Sequence, residues 1–146
     1  MRSKFLFAGV LLLSSAPSIL SAQAAWPVIL RNARVTVAVD TANVLREDDG
    51  SYMTRTRWDY KNLRALESRR SYMSMTQTAL VRCGPVRIKR LTESFYAENG
   101  AVVTEGTPPD PVDIQYMTWD RLKLGSDGSK AMTQVCALLN RRDRRR

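Results

Sequence analysis

The sequence predicts an α+β domain: an antiparallel sheet of about six strands packed by a C-terminal α-helix, with one disulfide. Three observations carry this. Residues 71–83 (SYMSMTQTALVRC) alternate apolar and polar side chains, residues 131–139 repeat apolar side chains at spacings of three and four, and Gly, Pro, Asn and Asp clusters punctuate the chain. Period two puts successive side chains on opposite faces of a strand, whereas spacings of three and four line one face of a helix. Several strands followed by one helix is the order of a two-layer α+β domain.

The elements follow in order. After Trp26 and Pro27, residues 35–39 (VTVAV) place Val35, Val37 and Val39 on one face of a strand. Residues 40–47 continue extended or turn once, and Asp48-Asp49-Gly50 is a hairpin signal. In residues 52–60, Tyr52, Thr54, Thr56, Trp58 and Tyr60 oppose Met53, Arg55, Arg57 and Asp59, giving a strand with one wet side. Residues 61–70 (KNLRALESRR) are polar and read as a helical turn or a loop. Met73, Met75, Ala79, Val81 and Cys83 then share the apolar side of the next strand, interrupted by Gln77.

Gly84-Pro85 forces a turn, and the chain from Val86 runs extended towards Asn99-Gly100, a second tight turn. Val86 and Ile88 share one parity and Leu91 and Phe95 the other, so a bulge or bend is expected near Lys89. A short strand (AVVTEG) precedes a loop at 107–111, whose three prolines cannot join a ladder. Residues 114–122 (IQYMTWDRL) read as one more strand. Past Gly125, the N-cap residues Ser126, Asp127 and Ser129 open an amphipathic helix of about three turns. Cys136 lies on its apolar stripe, with Ala131, Met132, Val135, Leu138 and Leu139.

Residues 1–24 have the three-part layout of a secretory signal. Arg2 and Lys4 precede an apolar run from Phe5 to Leu13, and small residues end in Ala22-Gln23-Ala24. The run is too short to span a bilayer, so cleavage near Ala25 is expected in preference to an uncleaved anchor. No cysteine follows it for lipid attachment. The chain has two cysteines and no histidine. In an oxidising compartment two cysteines allow one pairing, Cys83 with Cys136. Metal binding lacks partners, and a reactive thiol lacks the histidine that usually activates it. The disulfide is the expected state, joining sheet face to helix face.

The charge is unevenly placed. The formal net charge is +9, and the tail RRDRRR at 141–146 holds five arginines and one aspartate. Residues 25–140 hold 16 basic and 13 acidic side chains, so the basicity of the mature chain sits mainly in that tail, expected to be disordered. Arg55 and Arg57 on a wet strand face, and Arg87 and Lys89 after the Gly84-Pro85 turn, are the other candidate contacts for an anionic partner. In the tail these are Arg141, Arg142, Arg144, Arg145 and Arg146. Export removes nucleic acid as the usual partner of such a segment. Anionic envelope surfaces fit better, since each cationic residue near them gains about 1 kcal/mol. Solvated surface charge and a solubilising tail are the bland alternatives.

Catalysis is not expected. Without histidine, acid–base work falls to carboxylates, lysines or tyrosines. Asp48 and Asp49 flank a turn glycine and read as turn chemistry. Asp110 and Asp113 border prolines and supply too few oxygens for calcium. No phosphate loop or nucleophile elbow is present, so no cofactor and no metal is expected. Trp26, Trp58 and Trp119 could form a recognition surface, although filling a small core is the commoner use of tryptophan.

An ordered set of motifs runs through the mature chain. Trp26-x-Val28, Asp40, Trp58, Tyr72-x-Ser74, Cys83, the basic RIKRL at 87–91, Tyr96, Gly100, Trp119, Gly125-Ser126 and Val135-Cys136 occur in this sequence. The set resembles the bacterial surface-adhesin protein E family over residues 26–137. The resemblance implies an antiparallel sheet of about six strands, a packed helix and a disulfide at these positions. The family's namesake is an outer-membrane adhesin that binds extracellular-matrix and serum proteins and can dimerise, so the resemblance also allows a homodimer. Because this chain has no lipid-attachment cysteine, a periplasmic location is expected, with secretion or the cell surface as alternatives.

The expected organisation is therefore a signal peptide (1–24), an adhesin E-like domain (25–140) and a basic disordered tail (141–146). Two function classes follow: a binding module for a protein or an anionic cell-envelope polymer, and a periplasmic accessory, inhibitor or stress-response protein.

Overall fold

The computed structural model describes residues 26–145; the expected signal peptide at 1–24, Ala25 and Arg146 lie outside the described residues. Alternation and turn chemistry give eight strands: β1 (Val28–Arg31), β2 (Val35–Val39), β3 (Leu45–Arg46), β4 (Tyr52–Ala65), β5 (Ser71–Cys83), β6 (Val86–Tyr96), β7 (Val102–Thr104) and β8 (Asp120–Arg121). The helices are α1 (Pro111–Tyr116) and α2 (Asp127–Asp143). All strands join one antiparallel sheet in the order β1-β2-β4-β5-β6-β7, with β3 beside β4 and β8 beside β6. The main path thus has the expected six strands, and the two extra ones are two-residue bridges.

The expected turns form for the expected reasons. Glu47 N–H donates to Ser51 O and Gly50 N–H to Glu47 O, closing the hairpin before β4. Gly100 has φ of 80°, the left-handed region that glycine enters without penalty, and ends the β6–β7 turn. On β6, Thr92 faces Thr78 and Arg90 faces Ala79, so Leu91 is the extra residue of a bulge. That bulge is the parity switch visible in the sequence.

Two stretches before α2 differ from expectation. Residues 61–65 extend β4 as strand, and past an irregularity Arg64 faces Tyr72 and Ala65 faces Ser71. All five residues of this arm are exposed, so it has no burial pattern; pairing with β5 and the Arg64 guanidinium 5.2 Å from the Tyr60 ring centre go with its extension. Residues 114–122 are not one strand. Asp110 caps a helical turn by accepting from Val112 N–H at 2.9 Å, Pro111 stands at its start, and only Asp120–Arg121 pairs with β6. The local cap outweighs the weak alternation.

One face of the sheet is covered by α2. Val35, Val37, Val39, Trp58, Met75, Val81 and Ile88 pack with Ala131, Met132, Val135, Cys136 and Leu139 in one cluster. Trp58 is only 6% exposed and donates its indole N–H to Thr56 Oγ1 at 3.0 Å. Cys83 and Cys136 form the disulfide, with Cα atoms 5.4 Å apart. The loop after β7 also crosses β6 closely. A Cβ on Gly106 would lie 2.5 Å from Glu93 O, so the crossing admits no larger residue without movement.

Helix α2 is longer than expected, and this corrects the reading of the tail. Ser126 caps it by accepting from Ser129 N–H, and it runs for 17 residues through Asp143. Residues 141–143 are therefore helical. Arg142 Nη1 donates to Thr41 O at 3.2 Å, Tyr52 OH donates to Asp143, and Arg46 pairs with Asp143 at 3.6 Å. The six tail residues contain no apolar side chain, so sequence patterning could not register contacts with residues about a hundred positions away.

The Cys83→Ala/Cys136→Ala variant should lose on the order of 4 kcal/mol in urea unfolding, because the bond closes a loop across 53 positions. Ending the chain after Asn140 should cost about 2 kcal/mol, through loss of the Thr41 and Tyr52 hydrogen bonds. Ending it after Asp143 should cost under about 0.5 kcal/mol.

Candidate functional site

With α2 on one side, the other sheet face is left for contacts. Cross-strand partners project together, so the registers place Arg55 with Thr78 and Thr92, Arg57 with Thr76 and Ser94, and Asp59 with Ser74 and Tyr96. Arg57 Nε donates to Asp59 at 3.0 Å, and the Arg55 guanidinium sits 5.9 Å from the Trp26 ring centre. Beside them a cavity of about 270 Å³ is lined by Arg57, Ser74, Thr76, Tyr96 and Gly100. Thr76 and Tyr96 share a hydrogen bond at 3.4 Å across it.

Further along this face, Trp119 is held between two cations. The Arg82 guanidinium is 4.2 Å and the Lys89 ammonium 5.2 Å from its ring centre. Lys89 is not a free surface cation. It is 7% exposed and donates to Ile114 O at 2.9 Å, fixing α1 onto the sheet. Burial suits it because the ammonium has both a carbonyl and an aromatic face. Arg87 is half-buried between Arg82 on β5 and Arg121 on β8.

The remaining candidates lie on the helix side. Thr41, Leu138, Arg141, Arg142 and Arg145 line an open concavity of about 490 Å³ at the C-terminal end of α2. Arg141 Nε donates to Ala137 O at 3.2 Å, and the nearby Asp143 is engaged by Tyr52 and Arg46. The cations stand where the helix dipole favours them. Arg144 is exposed, and Arg146 lies outside the described residues.

The expected contacts therefore form two groups on opposite sides of the sheet. Arg55, Arg57, Arg87 and Lys89 share one face, and Arg141, Arg142 and Arg145 share the other. Sequence reasoning missed Arg82, Arg121, Thr41 and Leu138. Arg82 had a signal, its place on the wet parity of β5; Thr41 had none. Trp26 and Trp119 are half-buried under cations, and only Trp58 is core.

The carboxylates are largely occupied. Asp40 is buried and accepts from Ala42 N, Asn43 N and Asn43 Nδ2. Asp120 pairs with Arg90 at 2.7 Å. Asp127 is held below the usual carboxylate range, first by its hydrogen bond from Arg34. Burial, with Tyr72 beside it, pushes the Tyr60 hydroxyl up to about 12. Among the described residues no three His, Cys, Asp or Glu side chains converge as metal ligands would.

Residues 26–137 match the family of surface-adhesin protein E, and the chain belongs to that family. No curated protein sequence and no solved structure gives a significant match. Membership assigns a surface-adhesin-like role at a coarse level, hence an exported or surface protein with binding partners. No helix among the described residues is long and apolar enough to cross a membrane.

Asp49 supplies a pH test. Hydrogen bonds from the Ser51 side chain and backbone, with Arg82 at 2.7 Å, lower its pKa to about 2 from 3.8. A lowered folded-state pKa stabilises above the unfolded value and is lost as pH falls through the folded value. The site is partly solvated, so screening reduces the contribution to about 1 kcal/mol. The stability gap between wild type and Asp49→Asn should be full above about pH 4 and close towards pH 2 in urea titrations.

Proposed function

We propose that this protein is an exported, non-catalytic binding module whose contact is an anionic polymer of the cell envelope or extracellular matrix. Family membership supports a binding role. The observation that carries the choice of partner is the convergence of Arg141, Arg142 and Arg145 around Thr41 and Leu138. Three guanidiniums line an open concavity, and Asp143, next to Arg142 in the chain, already serves Tyr52 and Arg46. Arginine forks suit sulfate, phosphate and carboxylate groups, and Leu138 adds apolar contact for the polymer between charges.

Occupancy of the polar groups supports the non-catalytic reading. The chain contains no histidine, both cysteines are joined, and Asp40, Asp49, Asp120, Asp127 and Asp143 each hold structural partners. A carboxylate fixed in a cap or ion pair is poorly placed to move protons.

The test is immobilised heparin and lipopolysaccharide binding by the mature chain. The Arg141→Gln/Arg145→Gln variant, which leaves the Arg142–Thr41 contact intact, should bind about 30-fold more weakly at low salt. Wild-type binding should fall steeply towards 0.1 M salt, where screening acts over about 10 Å. Arg55→Gln/Arg57→Gln should bind like wild type. Undiminished affinity in the tail variant refutes the reading. Fractionation separates the two polymers: surface or released protein favours the matrix, and periplasmic retention the envelope.

A further inference from the structure

Across three neighbouring strands the chain sets three arginines side by side. Arg82 on β5 is the cross-strand partner of Arg87 on β6, which is in turn the partner of Arg121 on β8. Such partners project from the same face about 5 Å apart, and like charges directly opposed are destabilising. Lys89 lies two residues along β6 on that face. Among the described residues, Asp49 is the one carboxylate within ion-pair distance of the row, on Arg82 at 2.7 Å. Arg87 and Arg121 have no acidic partner there.

A second observation is independent of charge counting. Arg87 Nε is buried and donates to no acceptor, the only buried side-chain nitrogen or oxygen of that kind among the described residues. Guanidinium cannot shed its proton to relieve this, and buried donors are otherwise almost always satisfied. Its immediate neighbours in the ladder are donors as well. An acceptor that suits this place must bring oxygens and negative charge together.

We propose that the Arg82–Arg87–Arg121 row is a binding site for a tetrahedral oxyanion, a phosphate or sulfate group, with Arg87 Nε as its innermost donor. The group is a free ion or is carried on a sugar. Its several oxygens satisfy the forks of adjacent guanidiniums and remove their mutual repulsion. The row occupies the face opposite α2, so it stands whether or not Arg141 and Arg145 bind polymer.

The test follows the arginine Nε–Hε signals of the mature chain by NMR during titration with inorganic phosphate. Sodium chloride at matched ionic strength is the reference. The Arg87 signal should move saturably with phosphate and stay in place with chloride. Arg121→Gln, at an exposed position, should raise the midpoint about fivefold, and Arg141→Gln should leave it unchanged. Arg87→Lys keeps the charge, loses the Nε–H and should raise the midpoint at least about tenfold, read from the backbone signals of β6. If that variant does not fold, the Arg121→Gln comparison decides alone. Equal, unsaturated shifts with chloride, or an unchanged midpoint in Arg121→Gln, overturn the proposal. Glucose 1-phosphate separates the sources: tighter binding than inorganic phosphate assigns the site to a sugar-borne group, and equal binding to the free ion.

Discussion

The Cys83–Cys136 bond ties the end of β5 to the apolar stripe of α2, and the use of every other surface depends on that tie. It forces the helix across the face carrying Val37, Trp58, Met75 and Val81, where Met132 and Val135 complete the core. A domain of this size has a small core, and a covalent constraint on its unfolded chain contributes a large share of the stability margin. Once α2 is fixed there, its last turn must lie over the segment from Thr41 to Arg46. That placement makes structure of a charge run.

The two sheet faces then divide the work. The covered face takes aliphatic and aromatic side chains, including edge-on contacts of Tyr72 with Tyr60 at 5.7 Å and with Phe95 at 4.8 Å. The open face takes hydroxyls, arginines and two tryptophans. There aromatic rings serve as platforms for cations: Trp26 under Arg55 and Trp119 under Arg82 and Lys89. The rings hold positive charge in fixed positions, and of these three cations Arg82 also meets a carboxylate, that of Asp49.

Charge pairing shows the same economy. Asp49, Asp120 and Asp127 each tie two distant parts of the chain together, to Arg82, Arg90 and Arg34 respectively. These ion pairs are partly exposed, so each adds little stability, and their larger effect is to hold turns and helix ends in register. Among the described residues, the arginines with no carboxylate within ion-pair distance include Arg55, Arg87 and Arg121 on the open face and Arg141, Arg142 and Arg145 at the α2 terminus. Each group holds more cations than carboxylates, so a high net charge on the sequence becomes two localised surfaces.

The sequence by itself determined the two-layer α+β fold, the disulfide pairing, the strands with one wet face and the capped helix, because alternation, helical spacing and turn chemistry are local signals. The parity switch near Lys89 was legible for the same reason, and the strand register sets its bulge at Leu91. Tertiary structure decided the rest. Residues 61–65 became strand because β5 pairs with them, although their side chains carry no pattern. Lys89 left the surface because α1, a local product of Asp110 and Pro111, brings Ile114 O over it. Arg141–Asp143 joined the helix because Thr41, Tyr52 and Arg46 await them. The Arg82–Arg87–Arg121 row needs the registers of three strands at once. Apart from the arm at 61–65, each of these is a meeting of polar groups distant in sequence, and polar groups announce their partners only through geometry.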